Sequence, residues 1–269
     1  MNSPENSSTV LITGASSGIG AALAHRFARA GNRLVLVARR ADRLQALARA
    51  LASEHDVSAI VLAADLAQAG AAAALASRLR RRRMAIDILV NNAGVLEHGA
   101  FVRMDAGRQQ QLIDLNVSGL TAMLAQFVPA MVERGRGRVL NVASIAAFQP
   151  VPSLATYAAS KAYVLSLSES LAEELRDSGV TVTALCPGIT ATPMLRGAAE
   201  ASASLARLPD FLVADVDAVA AEGYEACMQG EVIRVPGLLN QAATIAGRAV
   251  PKWLLRRIAG SIGRSTLDD

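Results

Sequence analysis

Tyr157 and Lys161 are four residues apart in a segment rich in Ala and Ser, a spacing that places both side chains on one face of a helix. A phenol with its usual pKa of about 10 exchanges protons poorly at neutral pH, whereas a nearby ammonium favours the phenolate and lowers that pKa. Tyr157 could then pass a proton to or from a carbonyl oxygen as a general acid or base. Ser144, at the end of a predicted strand, could hydrogen-bond the same oxygen. The three residues together predict acid–base chemistry on a carbonyl or alcohol.

A second candidate site is the turn TGASSGIG (13–20), between a predicted strand over 8–13 and a predicted helix over 19–30. Glycines in such a turn allow the tight bend, let the backbone approach a pyrophosphate and let the helix pack closely on the strand. The amides at the helix N-terminus then face the phosphates. The predicted cofactor contacts in this turn are Gly14, Ser16, Ser17, Gly18, Ile19 and Gly20.

The same turn also fits a different chemistry, the G-x-S-x-G elbow that carries the nucleophile of some serine hydrolases, here with Ser16 as the central residue. That chemistry needs a histidine late in the chain. The three histidines are His25, His55 and His98, all in the N-terminal half. The sequence therefore disfavours a hydrolase.

The end of the second predicted strand, RLVLVA (33–38), predicts which dinucleotide is bound. An acidic residue at that point bonds the 2′-hydroxyl of NAD, whereas an arginine accommodates the 2′-phosphate of NADP. Arg39 and Arg40 follow the strand, and Asp42 is better interpreted as an acid in the first turn of the next helix. We expect NADP(H), with Arg39 on the 2′-phosphate and Arg40 either adding to the contact or solvated.

The elements that must position these residues alternate regularly along the chain. Predicted strands are continuous apolar runs, which indicate burial on both faces, as in a parallel sheet. Strand–helix alternation predicts a doubly wound α/β Rossmann fold of about seven strands, with helices on both faces. The predicted strands cover 8–13, 33–38, 58–64, 87–91, 138–143, 180–186 and 231–235, and the helices 19–30, 41–54, 69–83, 107–133, 154–178 and 215–229. We expect one catalytic domain over 1–235 and a basic amphipathic extension over 236–269.

Composition excludes several other classes of protein. The 269 residues carry a net charge of only +4, and the arginine run 80–83 lacks the interleaved aromatic residues of a nucleic-acid site. The two cysteines, Cys186 and Cys227, form no CxxC pair, so we expect neither a disulfide framework nor a metal. The N-terminus lacks the features of a signal peptide, and no uncharged apolar run is long enough to cross a bilayer. We expect a soluble, cytoplasmic protein that binds no nucleic acid.

The order of these motifs resembles the short-chain dehydrogenase/reductase family over residues 8–235. TGASSGIG is followed by NNAG (91–94), Ser144 and then Tyr157 with Lys161, as in that family. The resemblance implies that Asn116 completes a catalytic tetrad, kinks the helix over 107–133 and holds a water in a relay to Lys161. A polar residue on the helix surface is the alternative for Asn116.

The resemblance also implies further cofactor contacts. Asp65 and Leu66 would contact the adenine, although Asp65 could equally cap the next helix. The other contacts implied are Asn92, Ala93 and Gly94 on the nicotinamide-side ribose, and Pro187, Gly188, Ile189, Thr190 and Thr192 around the carboxamide or pyrophosphate. Tyr157 and Lys161 are expected to contact the cofactor as well.

These observations predict an NADP(H)-dependent oxidoreductase that acts on a small carbonyl or secondary alcohol; the alternative is a non-catalytic NADP(H)-binding sensor or scaffold. The family implies a lid over 193–213, whose apolar residues favour an apolar substrate. These residues are Met194, Leu195, Leu205, Leu208, Phe211 and Leu212. We expect a homodimer or homotetramer through the helices over 107–133 and 154–178. We expect the extension over 236–269 to pack on the body or an interface, because Pro251 and several glycines interrupt its pattern. The alternative is a basic amphipathic helix on a membrane surface.

Overall fold

A seven-stranded parallel sheet forms the centre of the protein, in the strand order 3-2-1-4-5-6-7. The computed structural model describes residues 7–200, 209–238, 240–242 and 244. The strands are β1 (Thr9–Thr13), β2 (Arg33–Ala38), β3 (Ala59–Ala63), β4 (Ile88–Asn91), β5 (Gly137–Val142), β6 (Val180–Leu185) and β7 (Ile233–Arg234). All seven coincide with predicted strands, which confirms the doubly wound α/β fold.

Helices cover both faces of the sheet. Within the described residues they include α1 (Gly18–Arg29), α2 (Ala41–His55), α3 (Ala71–Arg81), α4 (Ala106–Ile113), α5 (Leu120–Glu133), α6 (Ala155–Glu174), α7 (Pro193–Glu200) and α8 (Val216–Gln229). Buried side chains of α1, α2 and α8 join one apolar cluster, and those of α3, α5 and α6 join the other. Helix α7 lies in the stretch 193–213, which the family resemblance implies to be a lid.

The alternation of side chains along β1 explains why its three central residues are all apolar. Leu11 packs into the cluster under α3, α5 and α6, whereas Val10 and Ile12 pack into the cluster under α1, α2 and α8. All three are fully buried. Because successive side chains of a strand point to opposite faces, the middle of a strand covered by helices on both faces is apolar on both.

A single π-helical turn, Asp114–Gly119, joins α4 to α5. This turn contains Asn116, so the predicted interruption of the long helix is confirmed. By length and composition the stretch Ala106–Glu133 could cross a membrane, with a mean hydropathy of 1.4 over its most apolar window. Its apolar side chains, such as Met123 and Phe127, pack into the core beside the sheet, which accounts for that composition.

The strand order reverses between β1 and β4, which are hydrogen-bonded neighbours. In doubly wound sheets the ligand crevice lies at the carboxyl ends of the strands at this point. The turn after β1 and the NNAG segment at the end of β4 therefore meet there. Most of the predicted extension over 236–269, and the predicted lid residues Leu205 and Leu208, lie outside the described residues.

Candidate active site

The turn after β1 has the backbone that its glycines predict. Gly14 and Gly18 adopt positive φ angles of 65° and 57°, which favour glycine. A Cβ atom on Gly18 would lie 3.2 Å from Cγ2 of Thr192, so the segment after β6 packs close against this turn. A Cβ atom on Gly20 would lie 2.6 Å from the carbonyl oxygen of Gly14. The turn thus forms a narrow cradle that leaves room for backbone but not for side chains, as dinucleotide phosphates require.

Thr13 and Asn92 fix this turn to the end of β4. The Thr13 hydroxyl donates to the carbonyl oxygen of Val90 (3.2 Å) and accepts the backbone N–H groups of Asn92 and Ala93, each at 3.0 Å. The Asn92 side-chain amide donates to the carbonyl oxygens of Thr13 (3.0 Å) and Gly14 (3.2 Å). Asn92 therefore fixes the shape of the turn over 13–20, which we call the phosphate turn. The sequence did not reveal this role.

Two arginines follow β2 beside this cradle, and both are exposed. A guanidinium nitrogen of Arg40 donates to Oγ of Ser16 at 3.2 Å, which brings this cation to the phosphate turn. Arg39 lies at the end of β2. The structure thus brings Arg40, which the sequence treated as secondary, into contact with a predicted cofactor residue.

Asp65 follows β3 and makes a local contact, in which its Oδ1 accepts the N–H of Ala67 at 3.2 Å. The alternative prediction that Asp65 caps the next helix is wrong, because α3 begins six residues later with Gly70 at its N-cap. Leu66 is buried in the core below α5.

Ser144 and Tyr157 meet at the carboxyl end of β5. Ser144 caps the short 3₁₀ turn Ile145–Phe148, its Oγ accepting the N–H of Ala146 at 3.1 Å. Burial raises the pKa of Tyr157 above its ordinary value, and a hydrogen bond with Ser144 partly offsets this rise. Tyr157 therefore keeps its proton at neutral pH.

Lys161 is buried below Tyr157, with 6% of its surface exposed. Its Nζ donates to the carbonyl oxygen of Val142 at 2.8 Å and lies 5.7 Å from the Tyr157 ring centroid. Burial lowers the pKa of Lys161 to about 8, and an electrostatic interaction with Cys186 partly opposes this effect. The net pKa of Tyr157 is thus raised rather than lowered as the sequence predicts, because the desolvation of the phenolate dominates.

Asn116 projects from the π-helical turn towards Lys161. Its Oδ1 accepts the N–H of Val95 (2.9 Å), and its Nδ2 donates to the carbonyl oxygen of Val95 (3.0 Å) and to Oγ of Ser160 (3.1 Å). A Cβ atom on Gly94 would lie 3.3 Å from Oδ1 of Asn116 and 3.5 Å from Nζ of Lys161. Asn116 is 1% exposed, so the alternative of a surface residue is wrong.

A cavity of about 540 Å³ opens between the phosphate turn and Tyr157. Fifteen predicted site residues line it: Gly14, Ser17, Gly18, Ile19, Asn92, Ala93, Gly94, Ser144, Tyr157, Lys161, Pro187, Gly188, Ile189, Thr190 and Thr192. The other predicted residues are not in its lining: Ser16, Gly20, Arg39, Arg40, Asp65, Leu66 and Asn116. The cavity therefore corresponds to the nicotinamide side of the predicted site.

The segment after β6 follows the predicted path along the cavity. Oγ1 of Thr190 donates to the carbonyl oxygen of Gly188 at 3.0 Å, and Oγ1 of Thr192 accepts the N–H of Leu195 at 3.3 Å. Thr190 is buried, and Thr192 lies against Gly18. Thr192 therefore lies where it could face a phosphate bound at the turn.

The outer wall of the cavity differs from the predicted lid. Met194 and Leu195 of α7 line it, as predicted. Phe211 and Leu212 do not: they are 74% and 43% exposed, because their 3₁₀ turn projects into solvent. The sequence missed the segment between β5 and α6, which contributes Ile145, Ala146, Gln149, Pro150, Val151, Pro152, Ser153 and Leu154. Its two prolines were the available signal for a rigid loop.

A hydrogen-bonded polar pair lies in this largely apolar wall. Oγ of Ser153 and Nε2 of His98 are 3.0 Å apart and hydrogen-bonded. Burial lowers the pKa of His98, which favours the neutral ring. Leu96 and Leu154 also line the wall, so it combines apolar contacts with the polar groups of this pair and of Gln149.

Comparison with known proteins identifies the family of this chain. The family model for short chain dehydrogenases matches residues 8–203. The chain belongs to that family. It is 37% identical to the oxidoreductase UcpA of Escherichia coli over 196 residues, which are 72% of this chain and 73% of UcpA.

Two solved structures are similar over nearly the whole chain. A short-chain dehydrogenase of Sphingobium yanoikuyae in complex with NADPH is 40% identical, with a TM-score of 0.80, covering 90% of this chain and 93% of that one. A bulky-bulky ketone specific alcohol dehydrogenase of Comamonas testosteroni is 35% identical, with a TM-score of 0.76, covering 92% and 96%. The cradle after β1 and the cavity beside Tyr157 therefore lie in a member of this oxidoreductase family.

Proposed function

We propose that this short-chain dehydrogenase is an NADP(H)-dependent reductase of bulky apolar ketones, with Tyr157 as the general acid. The observation that carries the proposal is the position of Tyr157 and Ser144 in one cavity with the phosphate turn. A hydroxyl pair at that position can bind a carbonyl oxygen from two sides. The NADPH complex of the Sphingobium protein supports the choice of dinucleotide.

The residues present fit NADP(H). The cradle that a Cβ atom on Gly14 or Gly20 would fill suits the pyrophosphate, and the pair Arg39 and Arg40 suits the 2′-phosphate. When bound, NADP(H) supplies the hydride that reduces the carbonyl carbon. The protein contributes alignment and the proton.

Tyr157 supplies that proton. Because burial raises its pKa, the phenol is protonated at neutral pH, which is the state that reduction needs. Ser144 and Tyr157 each donate a hydrogen bond to the carbonyl oxygen, and the Tyr157 proton moves to it as the alcohol forms. Lys161 then favours the transient phenolate by its charge until the proton is replaced.

The shape of the cavity supports a bulky apolar substrate. Its volume of about 540 Å³ falls within the usual range of small-molecule sites and would be shared by the substrate and the nicotinamide end of the cofactor. Leu96, Ile145, Val151, Leu154 and Met194 supply its apolar wall. The Comamonas enzyme, whose specificity is for bulky-bulky ketones, is similar over nearly the whole chain.

The test is a panel of aliphatic, aryl and steroid-like ketones, with NADPH or NADH as reductant. We expect the wild-type protein to reduce bulky ketones with a higher kcat/KM for NADPH, and Tyr157→Phe to lose activity by roughly 10² or more. Tyr163→Phe is the matched control: Tyr163 lies on the same helix but is 39% exposed and hydrogen-bonded to Thr121. Equal turnover by wild type and Tyr157→Phe would overturn the mechanism. NADPH binding without any turnover would indicate the sensor alternative.

A further inference from the structure

Two imidazole rings and one carboxylate form a cluster outside the cavity lining. His25 lies on α1, and Glu54 and His55 lie in the last turn of α2. Nδ1 of His25 is 3.3 Å from Oε2 of Glu54, and Nε2 of His55 is 3.7 Å from the same oxygen. The three atoms that could act as metal ligands all lie within 4.8 Å of one another.

The distances between the imidazole nitrogens and the Glu54 oxygen suit a metal ion. Zinc binds imidazole nitrogen and carboxylate oxygen at about 2.0–2.1 Å, so neighbouring ligand atoms of a tetrahedral site are roughly 3.3 Å apart. The His25–Glu54 pair already has this spacing, and the His55–Glu54 pair exceeds it by a few tenths of an ångström. Glu54 is half-exposed, so its side chain has room to adjust.

The His55 ring supplies an independent observation. Its Nε2 is buried and has no hydrogen-bond partner among the described residues, because the 3.7 Å to Glu54 exceeds a hydrogen bond. A buried nitrogen without a partner is costly, whereas its lone pair is an ordinary metal ligand. The His25 and His55 rings meet edge-on at 82° rather than stacking.

We propose that His25, Glu54 and His55 bind one divalent transition-metal ion of the zinc class, with water completing the coordination. Two nitrogens and one carboxylate oxygen favour Zn²⁺ or Cu²⁺ over Mg²⁺ and Ca²⁺, which prefer oxygen ligands. An ordinary ion pair of His25 with Glu54 would explain the 3.3 Å contact but would leave Nε2 of His55 without a hydrogen-bond partner among the described residues. The ion would connect α1, which begins at the phosphate turn, to the end of α2.

Titration of the tag-free, full-length protein with ZnCl₂ at neutral pH tests the site. We expect one ion per chain, and absorption bands of tetrahedral geometry when Co²⁺ replaces Zn²⁺. Glu54→Gln should weaken Zn²⁺ binding by tenfold or more, because it removes one of three ligands. His55→Gln should do the same. His98→Gln is the matched control, since it changes the third histidine of the chain and should leave the Kd for Zn²⁺ unchanged.

Absence of Zn²⁺ binding by the wild-type protein at millimolar concentration would overturn the site, as would an equal Kd in Glu54→Gln. Because Glu54 is half-exposed, this variant should fold as the wild type does, which circular dichroism verifies. Glu54→Gln should also keep the wild-type rate of ketone reduction in metal-free buffer. Failure of the metal site and failure of the proposed reductase activity are therefore observed separately.

Discussion

Nζ of Lys161 lies 5.7 Å from the centroid of the Tyr157 ring while donating a 2.8 Å hydrogen bond to the carbonyl oxygen of Val142. The two titrating groups are thus close, but the ammonium is anchored to the end of β5. Burial lowers the pKa of Lys161 to about 8 and raises that of Tyr157. In both residues burial favours the neutral form, so the pair responds to pH in the alkaline range.

This relationship predicts opposite pH profiles for the two directions of reaction. Reduction needs a protonated Tyr157 supported by a charged Lys161, so its kcat/KM should be flat at lower pH and fall as pH rises through about 8. Alcohol oxidation needs the Tyr157 phenolate and should accelerate with pH. Initial rates in both directions across this range measure the profiles.

A variant at Lys161 tests whether this residue causes the fall in kcat/KM near pH 8. Lys161→Arg keeps its charge throughout, because a guanidinium does not titrate in this range. The fall in reduction near pH 8 should therefore disappear, whatever the absolute rate. An unchanged inflection in Lys161→Arg would mean that another group titrates.

A second prediction concerns the choice of dinucleotide. Arg40→Ala should raise the KM for NADPH by roughly tenfold, because a hydrogen bond to a charged group contributes about 1.5 kcal/mol or more, and should leave the kinetics with NADH unchanged. Arg40 has the contact with Ser16, so its effect should equal or exceed that of Arg39→Ala. Arg43→Ala, an exposed arginine one turn into α2, is the control; a loss as large in Arg43→Ala would indicate only a general charge effect.

A third prediction tests the close packing of the phosphate cradle. A Cβ atom on Gly20 would lie 2.4 Å from Nδ2 of Asn92 and 2.6 Å from the Gly14 carbonyl oxygen, and the latter is backbone that cannot turn aside. Gly20→Ala should therefore lower the Tm and abolish NADPH binding, as thermal unfolding and fluorescence titration would show. Gly197→Ala, in α7, meets nothing within 4 Å and should be neutral or slightly stabilising. Wild-type NADPH affinity in Gly20→Ala would contradict the described cradle.

The sequence predicted what depends on local pattern. Continuous apolar runs predict buried parallel strands, and the glycine spacing before α1 predicts the cradle. Exposure was harder to predict: Phe211 and Leu212 are apolar by type, yet they project into solvent. An apolar residue type does not specify which element will cover it, and a surface retains many apolar atoms.

Contacts between secondary-structure elements could not be predicted from the sequence. The clamp of Asn92 on the phosphate turn requires β1 and β4 to be neighbours, which the chain order does not state. The approach of His25 to His55 likewise depends on how α1 packs beside α2. The direction of the Tyr157 pKa was wrong because spacing reports a nearby charge but not the cost of desolvating the phenolate.

A buried polar chain beneath the active site gives a last prediction, on stability alone. Nδ2 of Asn91 donates to Oδ1 of Asn141 at 2.9 Å, and Nδ2 of Asn141 donates to Oγ of Ser168 at 2.9 Å. Ser168 is fully buried on α6 and donates to the carbonyl oxygen of Val164. Ser168→Ala would leave the Asn141 amide without its acceptor, so the free energy of unfolding should fall by roughly 2 kcal/mol.

Ser170 provides the matched control for that change. It lies two residues further along the same helix and also donates to the carbonyl oxygen four residues earlier, but it is exposed. Ser170→Ala should therefore change the free energy of unfolding by less than about 0.5 kcal/mol. Urea unfolding of the two variants compares them directly, and ketone reduction should persist in both because neither serine lines the cavity. Equal stabilities of Ser168→Ala and Ser170→Ala would mean that the buried chain does not depend on the Ser168 hydroxyl.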